Sequence, residues 1–264
     1  MIVREMANGQ LLCIHQTTHA LMAEQFCRHW GNNDFARPLP YAATMLAIAQ
    51  HDNGWYEWEL RPRLRRDGYP MDFMHDDDPI AKVALWRRGV DRVFEQHPYA
   101  ALLVGRHAAL LYEGDLPNLT GPENKGVAEQ VAAFIADQQM LVEVVRHAYA
   151  EDSRYCDLLK PAVVDANTRL LQFGDHTSLQ VLIPWGAQSE LRNCPLNTQE
   201  RISITMRHSD QTITFSPWPF GVENFAVEIH GKLLSERQFV NEESYHAALA
   251  EAPLRRLSWQ VVKE

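Results

Sequence analysis

Apolar residues recur at helical spacing through the first two thirds of the chain and alternate with polar ones in the last third. The run Leu11-Leu12-Cys13-Ile14 follows Asn8-Gly9, a two-residue turn signal, so residues 2–16 are expected to form a β-hairpin. Thr17 or Thr18 can then cap a helix reaching Trp30, where Gly31-Asn32-Asn33 stops it. A second helix is expected from about Pro40 to Asp52, burying Met45, Leu46, Ile48 and Ala49 and ending at Asn53-Gly54. Residues 54–78 read as a long loop rich in aromatic residues (Trp55, Tyr56, Trp58, Tyr69, Phe73); loops of that length are functional or disordered, and the aromatic content argues against disorder. Asp78-Pro79 opens a helix running to about His97, and Pro98 opens the next. A polar loop over 115–125, with Pro117, Gly121 and Pro122, precedes long helices over about 124–150 and 161–183.

The period then changes to two in Arg201–Met206, Gln211–Phe215 and Phe225–Ile229, followed by a short helix over 241–252 and a strand over 257–262. The expected fold class is therefore mainly α. A helical body over residues 17–190 carries an appended small antiparallel β-subdomain, made of 1–16 plus 196–264 and packed on it. A lone hairpin is marginal in water, which favours the N-terminal one joining that sheet. The segment Trp185–Thr198 holds one Gly and one Pro, which is not flexible-linker composition.

Composition narrows the function classes. The 264 residues are 46% hydrophobic and 22% charged, ordinary for a globular chain with a sizeable core. A net charge of −9 without a basic block argues against nucleic-acid partners, which are held through Lys and Arg on phosphates. Cys13, Cys27, Cys156 and Cys194 show no CxxC spacing, which fits a reducing compartment. No signal peptide and no membrane-spanning apolar run is apparent, so a cytoplasmic location without a membrane partner is expected.

The most informative pair is His51-Asp52, at the end of an apolar helix and just before Gly54. Adjacent helical residues point about 100° apart, so the two can share a cation only where the helix ends. Imidazole suits Zn, Fe, Ni or Mn, and carboxylate suits Mg, Mn or Fe. His19, His107 and Asp175 are candidate partners on other helices. Asp175 is flanked by Leu171 and Leu179 at i−4 and i+4, so its carboxylate points along an apolar face. A buried Asp there must be paired with Arg, satisfied by backbone groups, or bound to metal. His107 shares its face with Leu103, Leu110 and Leu111, which suits a core histidine as well as a site residue. His15 and His19 stand at i, i+4, but position 16 is Gln, so the glutamate of a zinc-protease helix is missing. Asp76-Asp77-Asp78 reads as a solvated helix cap before a cation site, and Arg87 and Arg88 as exposed helix arginines before phosphate ligands.

Gln16–Gly31, Ala47–Trp58, Tyr69–Phe73, Leu85–Gly89, Pro98–Tyr112 and Leu170–Leu179 together make the chain resemble the bacterial family DUF3891, within the HD superfamily of metal-dependent phosphohydrolases. The resemblance covers nearly the whole chain. It implies an HD-type helical bundle holding one or two divalent ions (Mn, Fe, Zn, Ni or Mg). His19, His51, Asp52 and Asp175 match the metal-ligand positions, and His107 matches a middle-helix histidine that would be a further ligand or a phosphate contact. Where many such phosphohydrolases carry Lys or His shortly after His-Asp, this chain has Asn53-Gly54-Trp55. The function implied is hydrolysis of a phosphate ester by metal-activated water. Asp52 and His107 would be catalytic, and Trp55, Trp58 and Phe73 would wall a pocket for a small phosphorylated molecule. A metal-retaining sensor without turnover and a di-iron oxygenase on the same core are the alternatives. An oligomer is compatible with all three.

Overall fold

Helices occupy the chain up to residue 182 behind a short N-terminal hairpin, and strands dominate the rest. The computed structural model describes residues 1–75, 78–121 and 124–263; Asp76, Asp77 and Pro122 lie outside them. In chain order the elements are β1 (Ile2–Glu5), β2 (Leu11–Ile14), α1 (Gln16–Cys27), α2 (Tyr41–Gln50), a 3-10 turn (Asn53–Trp55), α3 (Tyr56–Leu60), α4 (Pro79–Gln96), α5 (Pro98–Asp115), α6 (Lys125–Ala148), α7 (Ser153–Leu158), α8 (Pro161–Leu182), β3 (Gln188–Pro195), β4 (Arg201–His208), β5 (Thr212–Ser216), β6 (Asn224–Leu234), α9 (Glu242–Glu251) and β7 (Leu254–Val262).

The expectation of a mainly α fold with a small β appendage is corrected. The protein is mixed α/β, and its strands form one seven-stranded sheet in the order β1-β2-β6-β7-β5-β4-β3. β5 and β7 pair in parallel, and the other neighbours are antiparallel. Two features hid the sheet's size. β3 is a polar strand, Gln-Ser-Glu-Leu-Arg-Asn-Cys-Pro, whose register shifts between Leu191 and Cys194, with Asn193 at φ +58°. A bulge breaks the two-residue period by which a strand is read. β6 and β7 also run well beyond their strictly alternating segments.

The sheet is a backing for helices. One continuous apolar cluster runs from α1, α2, α4, α5, α6 and α8 into β3–β7. Phe26 of α1 and Phe173 of α8 meet Phe215 of β5 with ring centroids 6.1 and 5.7 Å apart. A second cluster gathers Met1, Leu11, Cys13, Leu234, Phe239 and Tyr245, with Trp58, Leu64 and Tyr69 against it. It anchors the segment before α4, whose backbone is further held by Phe73 N–H donating to Met1 O (3.0 Å) and Phe239 N–H donating to Gly68 O (2.8 Å).

Two local expectations also change. Thr17 and Thr18 lie inside α1, and the residue before the helix is His15, which makes no side-chain cap. The free Gln16 N–H donates instead to the buried carboxylate of Glu59, 2.6 Å away in α3. The expected loop from residue 54 begins as helix, because Tyr56–Leu60 contains no breaker and Glu57 is held by Arg92 and Arg88 of α4. At the other end Asp78 caps α4, its side chain accepting from Ala81 N–H at 2.9 Å.

The turn after α2 presses backbone to backbone on α4. A Cβ on Gly54 would lie 1.9 Å from the carbonyl oxygen of Leu85, and one on Gly89 would lie 3.0 Å from the Gly54 nitrogen. Neither helix nor turn can yield without moving the other. Gly54→Ala is expected to destabilise the protein by about 3 kcal/mol, the upper end of ordinary overpacking. It should also weaken metal binding, since His51 and Asp52 lie three and two residues away. Unchanged urea midpoint and unchanged metal affinity would refute this.

Candidate metal centre

Each candidate side chain arrives on a different element. His19 comes from the first turn of α1, His51 from the end of α2, Asp52 from the turn after it, His107 from the middle of α5 and Asp175 from α8. α1 packs on α2 and α8, and α5 packs on α2 and α8, so all four helices face one another where these residues sit. All three histidines and Asp52 are buried, and Asp175 is 16% exposed at its side chain.

The polar atoms converge. His19 Nε2 lies 3.2 Å from both Asp52 Oδ2 and Asp175 Oδ1. His51 Nε2 lies 3.5 Å from the same two oxygens. Ligands at about 2.0–2.2 Å from a cation stand roughly 2.9–3.5 Å from each other in octahedral or tetrahedral shells. The spacing is thus that of a ligand set able to surround a cation. His19, His51 and Asp175 each offer one ligand atom, all within 4.8 Å of one another, and can hold a metal ion. His107 Nε2 is farther out, 3.7 Å from Asp175 Oδ2.

Hydrogen bonding fixes which nitrogen each ring turns inward. His51 Nδ1 is 2.8 Å from Ile48 O; a carbonyl only accepts, so Nδ1 carries the proton and Nε2 presents a lone pair. His19 Nδ1 is 2.7 Å from Ser178 Oγ, whose own proton goes to Asp175 O at 2.9 Å, so the serine accepts from His19. Both rings are therefore set as metal-ligating histidines are, with the outer nitrogen donating and the inner one turned toward the carboxylates. His51 Nε2 and both nitrogens of His107 are buried without a hydrogen-bond partner among the described residues. Leaving buried polar atoms unpaired is costly, and a cation with its water would satisfy them.

Without a metal, protons take its place. Burial opposes charge on His19, but hydrogen bonds and charge from Asp175 and Asp52 outweigh it and push its pKa up to about 9. His51 is raised for the same reasons, against its own burial. Burial would raise Asp175, yet the close imidazoles of His19 and His51 hold it well below the usual carboxylate range. His107 goes the other way, because burial outweighs the carboxylates and lowers it to about 4.

These shifts give the metal-free protein a stability optimum. Unfolded histidine titrates near 6.5. The His19 contribution is fully present below that and is lost as pH rises through about 9. His107 imposes no penalty above 6.5, but one that grows as pH falls toward 4. Thermal melts of chelator-treated protein should therefore peak near pH 6.5 and fall on both sides. The increment given by added metal should instead grow with pH, since protons compete at the ligands. A metal-free melting temperature that climbs steadily from pH 6.5 to 9 would contradict the raised His19.

The five residues open on a cavity of about 350 Å³, lined also by Gln16, Trp55, Phe73, Met74, Lys82, Trp86, Leu111, Tyr112 and Leu179. Trp55 and Phe73 are thus in the wall. Trp58 stands behind it, edge-on to Trp55 with centroids 5.8 Å apart, and packs on the second apolar cluster. Arg87 and Arg88 do not line the cavity; they pair with Asp137 and Glu57. His176 lies in an adjoining cavity that shares His107 and Asp175. Gln16, Lys82, Trp86 and Tyr112 were not singled out from the sequence. Lys82 lies on a helix whose polar positions otherwise read as solvated, and Gln16 drew notice only as the wrong residue for a zinc-protease helix.

Fold and site together define a mixed α/β protein with a buried two-histidine, one-carboxylate group able to hold a metal. The profile of the DUF3891 family, described as a protein of unknown function, matches residues 1–236, and the chain belongs to that family. Searches of curated proteins and of solved structures give no match. No helix among the described residues is long and apolar enough to cross a membrane.

Proposed function

We propose that the protein is a metal-dependent hydrolase acting on a phosphate ester. The observation that carries this reading is the inward-turned group of His19, His51 and Asp175, buried, pre-oriented from behind and opening on a cavity large enough for a small molecule. The ligand order, one His, then His-Asp, then a late Asp, is that of the HD superfamily, which supports the reaction class. Asp52 completes the ligand set through Oδ2, which faces both His19 and His51. A single ion is the better fit, because His19, His51 and Asp175 are the one such ligand group among the described residues, and a di-iron centre needs more.

A divalent cation held here would lower the pKa of a water and polarise a phosphoryl oxygen. The chain's own part is to orient and to move protons. Asp175 holds the ligand histidines while its Oδ2 faces His107. His107, kept neutral near pH 7 by its depressed pKa, can accept a proton on one nitrogen while donating from the other, and neither is committed to a protein partner. Trp55, Phe73 and Trp86 exclude bulk water from one side.

The test is metal analysis of protein purified without chelator, followed by a panel of phosphate mono- and diesters assayed with and without added Mn, Fe, Zn, Ni or Mg. Turnover that needs metal and vanishes in His51→Ala supports the proposal. Stoichiometric metal with no turnover across the panel would overturn the hydrolase half and leave a metal-bearing binding module.

A further inference from the structure

We propose that Lys82 is the anchor for the substrate's anion, and that the substrate is a compact ester of one phosphoryl group with an apolar alcohol. This rests on the metal-site reading above and narrows it.

Asp52, Asp175 and the histidines are turned toward one another at the metal position. Of the remaining lining residues only Lys82 carries charge. Its side chain has no ion-pair partner among the described residues, unlike Arg87, Arg88 and Arg92 along the same helix, each paired with a carboxylate. Arg169 and Arg192, in the adjoining cavity, are likewise held by Asp165 and Glu190. One cation and one divalent metal suit one phosphoryl group. A polyphosphate needs several positive groups along its length, as phosphate-transfer sites supply.

The rest of the lining sets the other half of the molecule. Trp55, Phe73, Met74, Trp86, Leu111 and Leu179 are apolar. Trp55 and Trp86 are only 5% and 8% exposed, so they form fixed walls. Beyond the metal-facing residues, His107 and Lys82, the polar groups of the lining are Gln16, Tyr112 and the indole N–H groups of Trp55 and Trp86. A sugar would bring more hydroxyls than these can satisfy, and each buried hydroxyl left unpaired costs affinity. Gln16 Oε1 is itself buried without a partner among the described residues, leaving one acceptor for a protonated phosphoryl oxygen or the attacking water.

The test is calorimetric binding to the full-length, metal-loaded protein, with metal content measured first. Probes are inorganic phosphate, phenylphosphonate and tripolyphosphate. Wild type should bind phenylphosphonate about 10-fold or more tighter than phosphate, and tripolyphosphate no tighter than phosphate. Lys82→Gln should weaken both single-phosphoryl ligands by about 10- to 100-fold at unchanged metal content, the worth of a charge-assisted hydrogen bond. Lys82→Met repeats the measurement with the aliphatic stem kept, and Lys82→Arg should retain most of the binding. Undiminished phosphate binding in folded Lys82→Gln or Lys82→Met, or a preference for tripolyphosphate over phenylphosphonate, overturns the inference while leaving the metal site standing. Wild-type protein that takes up no metal overturns the underlying reading, and this one with it.

Discussion

Asp175→Asn is expected to abolish stoichiometric metal binding while the fold survives. The substitution keeps shape and removes the charge that faces three imidazoles, with Oδ1 near His19 and His51 and Oδ2 near His107. Removing even an outer partner of a metal ligand typically costs 10- to 100-fold in affinity, so loss of an anionic ligand should exceed about 100-fold. The metal-free mutant should also lose the proton-for-metal substitution described above. Asp175 supports the raised pKa of His19, and without it the fall in stability from pH 6.5 to 9 should shrink. An Asp serving only to pair structurally would show the reverse: a large drop in stability with metal uptake untouched. Metal content at wild-type level in the folded mutant would reject Asp175 as a ligand.

His107→Ala should separate activity from metal content. His107 sits in the middle of α5, in a T-shaped contact with Trp86 at 5.7 Å between ring centroids. Among the described residues neither of its nitrogens is fixed from behind, in contrast to His19 and His51. That difference favours a proton-transfer role over metal ligation. Removal should lower kcat by about 100- to 10,000-fold, the usual range for an acid–base group. The cavity left behind should cost roughly 1–3 kcal/mol. If metal content falls with activity, His107 is a ligand. If only the melting temperature moves, it is a core residue.

The helical part of the site was legible because its signals are local. His51-Asp52 ahead of Asn53-Gly54 marks a helix end, and Leu171 and Leu179 put Asp175 on the inward face of α8. Those cues need no knowledge of distant chain. The rest of the cavity depends on how elements pack. Lys82 and Trp86 come to it because α4 is seated against Gly54, a contact between residues far apart in sequence whose only local trace is a glycine on each side. Gln16 faces it because Glu59 fixes the start of α1. Trp58 is expected in the pocket wall with Trp55 and Phe73, but the cavity lining lacks it and it packs on the second apolar cluster. The sheet was underestimated for the same reason. Pairing of β2 with β6 joins Cys13 to Lys232, and no pattern within either segment reveals its partner.

Ser178 reaches His19 across 159 residues of chain, and β2, which leads directly into α1, is bordered in the sheet by β6, a strand made after α8. The bridge between Asp175 and the N-terminal histidine therefore cannot exist on a partly synthesised chain that lacks α8. The seat of α1 is not complete until β6 has emerged. Contacts so far apart in sequence are slow to close. Metal acquisition is thus expected only after α8 has been made and has closed on α1. A translation-arrested chain ending before α8 should bind no metal under conditions where the finished protein fills its site.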